Sequence, residues 1–304
     1  MTGRSLRGTV SMALLSLLCA GSASGQSRAW EFLENNNNVI KAQRNGGSSK
    51  TAGDVTLDFF GHMAFRIVSP AGLTIVVDPW RNDPSGAWGA WFPKEFPEIA
   101  ADLVLSTHAH FDHDAVHRVH AAATLERLPG TLVIGDVTVT GLADKHQCRA
   151  PGWYKWTDVS TEAGQDFCAT TNAMHMDNVI QVISAGGIRI AHWGDNRPEP
   201  ARHVMDALKG VDVLILPIDE SHHILSEEQI RKIIDEIQPR IVIPAHYYTK
   251  GASSVLTTLS NADQWVGKQA KPVMLQSSRL VLNAEAIKAM RTQTHYFGYN
   301  FATK

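Results

Sequence analysis

The chain has 304 residues, of which 44% are hydrophobic and 19% charged, a balance typical of a globular protein with a buried core. Its formal net charge of −2 gives no overall positive field, which argues against nucleic acid as a partner and favours a small-molecule substrate. The length suits one large α/β domain or two small ones. The sequence leaves the oligomeric state open.

The first 25 residues have the pattern of a secretory signal peptide. Arg4 and Arg7 precede an apolar run at residues 10–20 that is too short to span a bilayer, and small residues lead up to Gly25. We therefore expect cleavage after Gly25 and a periplasmic or secreted protein without a stable membrane anchor; a retained anchor is the alternative. Residues 26–53 are rich in Asn, Gly and Ser, which predicts a flexible lead-in.

Two cysteines, Cys148 and Cys168, follow the predicted cleavage site. An oxidising compartment permits a disulfide between them. Two buried free thiols fit the sequence equally well, because a disulfide depends on the distance between the two Cα atoms, which the sequence does not give.

From residue 54 onwards the sequence predicts strands first and alternating helices and strands later. Alternating or continuous apolar runs predict strands at residues 55–59, 64–68, 73–77, 103–105, 188–191, 211–216 and 241–243. Ser226 is a predicted helix N-cap, and that helix should end at Ile237. Since no repeat or long linker divides the chain, we expect residues 54–304 to form one domain of two sheets flanked by helices.

A dense group of metal-ligand residue types follows the predicted strand at residues 103–105. Residues 107–114 read T-H-A-H-F-D-H-D, which places His108, His110, Asp112 and His113 on one short loop. So many polar side chains beside a buried strand are costly unless they have partners. Imidazoles and carboxylates are the ligands of zinc and related divalent metals.

Three later residues repeat this placement. His175, Asp195 and His246 each follow a strand-like stretch. Because ligands at the ends of separate strands converge on one rim of a sheet, we expect these side chains to join the histidine cluster.

The ordered motifs H-x-H-x-D-H, a later His, G-D and A-H resemble those of the metallo-β-lactamase superfamily. The resemblance runs from Val55 to about Leu282, and it implies the four-layer αβ/βα sandwich of that superfamily. Within it, Gly61-His62, Val77-Asp78-Pro79 and the Leu214 to Asp219 segment resemble the branch that holds L-ascorbate-6-phosphate lactonase and related metal-dependent hydrolases.

The resemblance implies a site for two divalent metal ions, with Zn2+ favoured and Mn2+ or Fe2+ as alternatives. By the family pattern, the first ion would bind His108, His110 and His175, and the second would bind Asp112, His113 and His246. Asp195 would bridge the two ions. A strand-end histidine with a local hydrogen bond is the alternative for His175. His146 is its substitute, although its surroundings suggest an exposed loop.

This ligand set predicts a metal-dependent hydrolase. Two bridged ions about 3.5–4 Å apart can ionise a shared water near neutral pH, and that hydroxide would attack a lactone, ester or amide carbonyl. A metal-dependent phosphodiesterase or nuclease is the alternative, since two metals serve both reactions. A di-iron redox protein and a metal-binding protein without catalysis are further alternatives.

Other catalytic residues are less sharply indicated. Asp112 is predicted to be a catalytic residue as well as a metal ligand. His222 is predicted to protonate the leaving group, with its neighbour His223 as the other candidate and a solvated loop as the alternative. Tyr247, beside His246, is a similar candidate.

Two further features lie outside the predicted ligand set. Asp78 either orients a ligand histidine or forms a turn. Trp80, Trp88, Trp91 and Phe92 crowd one loop, which forms either a wall of the substrate pocket or a self-packed cluster.

Overall fold

The protein was analysed as a computed structural model, which describes residues 51–147 and 177–304. Within these ranges, the strands form two sheets. The first contains β1 (Val55–Phe59), β2 (Phe65–Val68), β3 (Thr74–Val77), β4 (Ile99–Ser106), β5 (Val119–Glu126) and β13 (Arg279–Leu282). The second contains β6 (Gly130–Ile134), β7 (Val137–Asp144), β8 (Asn178–Ala185), β9 (Ile188–His192), β10 (Val213–Pro217), β11 (Ile241–Ala245), β12 (Val273–Met274) and β14 (Gln293–Tyr296).

Strand order brings the functional loops to one rim. The first sheet has the order β13-β1-β2-β3-β4-β5, and the second has the order β12-β14-β11-β10-β9-β8-β7-β6. Strands β3 and β4 run parallel, as do β9, β10 and β11. Because parallel strands end at the same edge of a sheet, the loops that follow β9, β10 and β11 lie side by side.

Four α-helices are described: α1 (Arg202–Leu208), α2 (Glu227–Ile237), α3 (Asp263–Gly267) and α4 (Ala284–Lys288). The predicted start and end of α2 are confirmed. Ser226 accepts a hydrogen bond from the Gln229 backbone N–H, and the Gln229 side chain accepts one from the Ser226 backbone N–H, which closes a capping box. Gln238 ends the helix in a left-handed conformation.

Two apolar clusters hold the sheets. The larger joins the inward faces of both sheets to α1 and α2, so that Ile75, Val77 and Ile215 are fully buried. The smaller lies on the opposite face of β3 and β4, where Val76 and Val104 pack under the aromatic loop of residues 78–98. Alternation of side chains along β3 therefore divides its residues between the two clusters.

The predicted α/β organisation with two sheets is confirmed, and β4 and β9 extend beyond the short runs that predicted them. The predicted signal peptide, most of the lead-in, and Cys148 and Cys168 lie outside the described residues. Among the described residues, no helix is long and apolar enough to cross a membrane.

Candidate metal centre

Histidine and aspartate side chains from several loops meet at one rim of the sheets. They come from the β1–β2 turn (His62), the loop after β4 (His108, His110, Asp112 and His113), the end of β7 (His146), the end of β9 (Asp195) and the end of β11 (His246). All except His110 are buried. Ligand-type side chains that are remote in sequence therefore share one buried site.

The cluster divides into two halves. The open half consists of His108, His110 and His146, and the closed half consists of His62, Asp112, His113 and His246. Within each half, one potential ligand atom from every residue lies within 4.8 Å of the others. That spacing is compatible with one ion in each half.

Asp195 lies between the halves. Its Oδ2 atom is 3.2 Å from His246 Nε2, 3.5 Å from His146 Nε2 and 3.8 Å from His108 Nε2. Its Oδ1 atom is 3.5 Å from His113 Nε2. One carboxylate therefore faces imidazoles of both halves, as a bridging ligand would.

Asp78 orients two of these imidazoles. Its Oδ2 atom accepts hydrogen bonds from His113 Nδ1 at 2.8 Å and from the Thr107 hydroxyl at 2.7 Å. Because the Thr107 hydroxyl donates to Asp78, its oxygen is available to accept from His108 Nδ1, 3.1 Å away. Both histidines are thus held with Nε2 directed into the cluster. Of the two interpretations of Asp78 that the sequence left open, the contact with a histidine of the predicted ligand set is present, at His113.

His62 orients Asp112 in a similar way. Its Nε2 atom donates to Asp112 Oδ2 at 2.9 Å, and its backbone carbonyl accepts from the His246 N–H at 2.9 Å. His62, Asp78 and His246 have φ angles of 57°, 50° and 57°. Left-handed backbone is uncommon outside glycine and concentrates at functional sites.

Gly194 explains the G-D motif. Its φ is +58°, and an added Cβ would lie 2.7 Å from Thr107 Oγ1 and 2.8 Å from Asn178 Oδ1. A side chain would therefore displace Thr107, which hydrogen bonds to Asp78. Glycine at this position lets Asp195 approach the histidine loop.

The electrostatics of the cluster favour bound cations. Burial lowers the pKa of His62 and of His110 to about 3, so both imidazoles are neutral. Burial also lowers the pKa of His246, but nearby Asp195 and Asp112 outweigh it and raise the value to about 9. Burial raises the pKa of both carboxylates, yet the surrounding imidazoles hold it well below the usual range. Two ionised carboxylates are thus kept inside the protein.

A cavity of about 270 Å3 opens onto the cluster. His110, Asp112, His146 and Asp195 border it on the cluster side. A substrate in this cavity would contact both halves.

The chain matches the family described as the Beta-lactamase superfamily domain over residues 56–246, from β1 to the last histidine of the cluster. It belongs to the metallo-β-lactamase superfamily. The predicted superfamily and fold are therefore confirmed, whereas the narrower resemblance to the L-ascorbate-6-phosphate lactonase branch stays a prediction.

Two curated relatives of this superfamily member are named metal-dependent hydrolases. A UPF0173 metal-dependent hydrolase of Myxococcus xanthus is 26% identical over 213 residues, which cover 66% of this chain and 74% of the relative. A UPF0173 metal-dependent hydrolase of Thermus thermophilus, TTHA1283, is 28% identical over 209 residues, covering 64% and 84%. These names agree with the predicted enzyme class, a metal-dependent hydrolase.

A solved structure has the same fold. The protein tm0207 of Thermotoga maritima, assigned as a zinc-dependent hydrolase of the metallo-β-lactamase superfamily, superposes with a TM-score of 0.54 at 20% identity. The match covers 80% of this chain and 98% of that chain. The two-sheet α/β architecture is thus that of a metallo-β-lactamase fold.

The cluster contains His146, which the sequence analysis gave only as the alternative to His175. His175 lies outside the described residues. His146 occupies the open half, and the exposed loop suggested around it is wrong, since it is only 7% exposed. Its Nδ1 atom donates to the Gln147 carbonyl at 2.8 Å, which directs Nε2 towards Asp195. Its position directly after a strand was the available signal.

Tyr247 is corrected from a catalytic candidate to a core residue. It is fully buried, and its hydroxyl donates to the Gly298 carbonyl at 2.8 Å while its ring packs against Phe59. The residue after His246 points to the opposite side of the chain, which turns the Tyr247 side chain into the core.

His222 does not border the cavity, but the adjacent His223 does. The φ of 54° at His222 turns the two consecutive side chains to different sides. The His223 ring lies over that of His246, with centroids 5.6 Å apart. Of the two candidate histidines, His223 is therefore the one placed to contact a substrate.

Proposed function

We propose that this protein is an exported hydrolase that uses two divalent metal ions, with zinc favoured, to open a lactone, ester or amide bond. Membership of the metallo-β-lactamase superfamily supports the hydrolase class. The observation that carries the dinuclear assignment is the position of Asp195 between two separate groups of imidazoles.

The donors fit metal ions better than they fit each other. His108 Nε2, His113 Nε2, His246 Nε2 and Asp195 Oδ1 are buried and lack a hydrogen-bond partner among residues 51–147 and 177–304. An unsatisfied buried polar atom costs about 1–3 kcal/mol. Imidazole nitrogens and carboxylate oxygens are the donors that zinc accepts, so coordination would remove this cost.

The proposed ligands follow the two halves. His108, His110 and His146 would hold one ion, and Asp112, His113 and His246 would hold the other, with Asp195 between them; the residues are those grouped by distance. His175 is the alternative to His146 in the open half. His62 acts indirectly, because its Nε2 already donates to Asp112.

Two bound divalent ions would supply an ionised water as nucleophile and positive charge opposite the developing oxyanion. The protein itself would position the side chains that hold the ions. Asp78 and His62 hold the ligand side chains in one orientation, and Asp112, which borders the cavity as a carboxylate, can accept a proton at the reacting centre. His223 lies at the same cavity, where it can contact the leaving group.

Charge around the cavity supports acyl over phosphoryl substrates. Among the described residues that line it, Arg81 is the only Lys or Arg, and it makes two hydrogen bonds with Asp114 at 2.7 and 3.0 Å. A substrate phosphate away from the metals would thus meet no uncompensated Lys or Arg among the described residues of the lining.

Metal analysis coupled to substrate assays tests the proposal. We expect about two metal ions per chain by mass spectrometry and hydrolysis of a lactone or ester. Replacement of Asp195 by Ala should remove metal and lower kcat/KM roughly a thousandfold, because several kcal/mol of charge stabilisation are lost. The control Asp136→Ala changes a buried carboxylate whose hydrogen bonds within the described part of the chain go to Ser69 and Ala71.

Three outcomes would change the proposal. Turnover of a phosphodiester but of no acyl substrate would move the function to a phosphodiesterase. Less than one metal per chain after reconstitution with zinc, manganese or iron would refute the dinuclear centre. Retention of the full chain in the cytoplasm, with an N-terminus that does not begin after Gly25, would contradict the export proposal.

A further inference from the structure

One wall of the cavity is aromatic. Trp88 and Trp91 come from the loop of residues 78–98, and Phe111 comes from the histidine loop itself. Phe111 stands between His110 and Asp112 in the sequence, so this wall begins directly beside the proposed metal ligands.

The orientation of Trp91 is fixed by its surroundings. It is 5% exposed, its ring meets Phe111 edge-on at 5.3 Å and His223 edge-on at 5.9 Å. Its carbonyl accepts a hydrogen bond from the Ser254 N–H at 2.7 Å. A ring packed against two other rings, on a backbone fixed by a hydrogen bond, is a preorganised surface for a ligand.

Some residues of the aromatic loop pack against each other and others line the cavity, so the self-packed cluster and the pocket wall each describe part of the loop. Trp80 and Phe92 stack on each other with centroids 4.3 Å apart and are buried in the smaller cluster. They stabilise the loop. Trp88 is 41% exposed and lines the cavity.

We propose that this aromatic wall selects substrates that carry an uncharged, planar apolar group, such as an aromatic ring, beside the scissile ester or lactone carbonyl. The inference rests on the proposed acyl hydrolase function and names its substrate class. Water adds to the carbonyl carbon, the acyl C–O bond breaks, and the leaving oxygen takes a proton, so that an acid and an alcohol result. Aromatic rings pair favourably with tryptophan and phenylalanine.

Size and charge of the cavity agree with this class. At about 270 Å3 it lies just below the roughly 300–1,000 Å3 typical of drug-sized ligands, which favours a small substrate. Asp83 adds an acidic group to the lining, and Arg81 is paired with Asp114. An anionic group placed against this wall would therefore be unfavourable.

A matched ester series tests the inference on the metal-loaded protein. Ethyl 3-phenylpropionate, ethyl hexanoate and monoethyl succinate present the same reacting ester with an aromatic, an alkyl and an anionic acyl group. We expect kcat/KM for the phenyl ester to exceed that of the alkyl ester about tenfold, with the anionic ester slowest. Equal efficiencies for the phenyl and alkyl esters would overturn the inference.

The variant Trp88→Ala locates the effect. It should lower kcat/KM for the phenyl ester about three- to tenfold and leave the alkyl ester within twofold. The control Val281→Ala truncates a 55% exposed side chain on β13, which does not line the cavity, and should change neither value. An equal loss for all three esters in Trp88→Ala would argue against a selective wall.

A binding measurement separates this inference from the proposed function. Calorimetry should give 3-phenylpropionate a Kd about tenfold lower than hexanoate, and Trp88→Ala should bring the two values together. If neither esters nor lactones are hydrolysed, the acyl hydrolase proposal fails. The binding measurement would still show whether the aromatic wall prefers an aromatic ligand. Equal Kd values in the wild type would overturn the inference even if esters are hydrolysed.

Discussion

The open half and the closed half of the cluster use similar residues in different surroundings. In the open half, His110 and His146 border the cavity, and His110 is partly exposed. In the closed half, all four side chains are buried and only Asp112 reaches the cavity. If two ions bind as proposed, the closed half would be a buried support, whereas the open half would present a coordination position to the substrate.

The residues behind the ligands differ as well. Asp112 and His113 of the closed half are held by the side chains of His62 and Asp78. In the open half, His108 Nδ1 contacts the Thr107 hydroxyl, which donates to Asp78, and His146 donates to the backbone carbonyl of Gln147. Asp78 therefore supports side chains of both halves, whereas His62 supports Asp112 of the closed half.

Among substitutions that affect one half, the largest effect is expected in the open half. His146→Ala should remove one ion and leave about one metal per chain, because the ligands of the closed half are unchanged. Activity should fall about a hundredfold or more, since both ions contribute to the reaction. Metal content by mass spectrometry and kcat/KM on the best ester would be measured together.

His175→Ala is the matched comparison. If His146 is the ligand, His175→Ala should keep two metals per chain. Loss of an ion from His175→Ala together with full metal content in His146→Ala would return the open half to the assignment first predicted from the sequence.

A smaller effect should follow from Asp78, which acts on both halves through His113 and through Thr107 and His108. Asp78→Asn places a donor against the Thr107 hydroxyl and His113 Nδ1, so these two groups lose their common acceptor. Metal affinity should weaken by about 10- to 100-fold. Competition with a chelator would measure it.

Asp136→Asn is the control for this substitution. Asp136 is fully buried and accepts from Ser69 Oγ and the Ala71 N–H, away from the cluster. It should lower thermal stability without changing metal affinity. Equal affinity losses in both variants would show that Asp78 acts only through general stability.

The smallest effect is expected at Tyr247. Removal of its hydroxyl in Tyr247→Phe breaks the hydrogen bond to Gly298, which should lower the free energy of unfolding by about 1 kcal/mol. Thermal or urea unfolding would measure this loss, and kcat/KM should stay within twofold. A tenfold or greater loss of activity at unchanged stability would restore the catalytic role predicted from the sequence.

Much of the fold and part of the site could be predicted from local patterns. Apolar alternation identified strands such as β1 and β3, and the N-cap residue Ser226 identified the start of α2. The loop after β4 was recognisable because four ligand-type residues within six positions are close in space in almost any conformation. Asp195 and His246 were recognisable because each directly follows a buried strand.

Tertiary structure alone decided which distant side chains complete the cluster. The antiparallel pairing of β7 with β8 sets Asp144 opposite Asn178, and a bridge from His146 to Asn196 then brings His146 beside Asp195. The backbone φ at His222 decides that His223 faces the cavity. Local sequence determines which residues can bind metal, but sheet pairing and loop conformation determine which side chains meet, because contacts between remote residues depend on the whole fold.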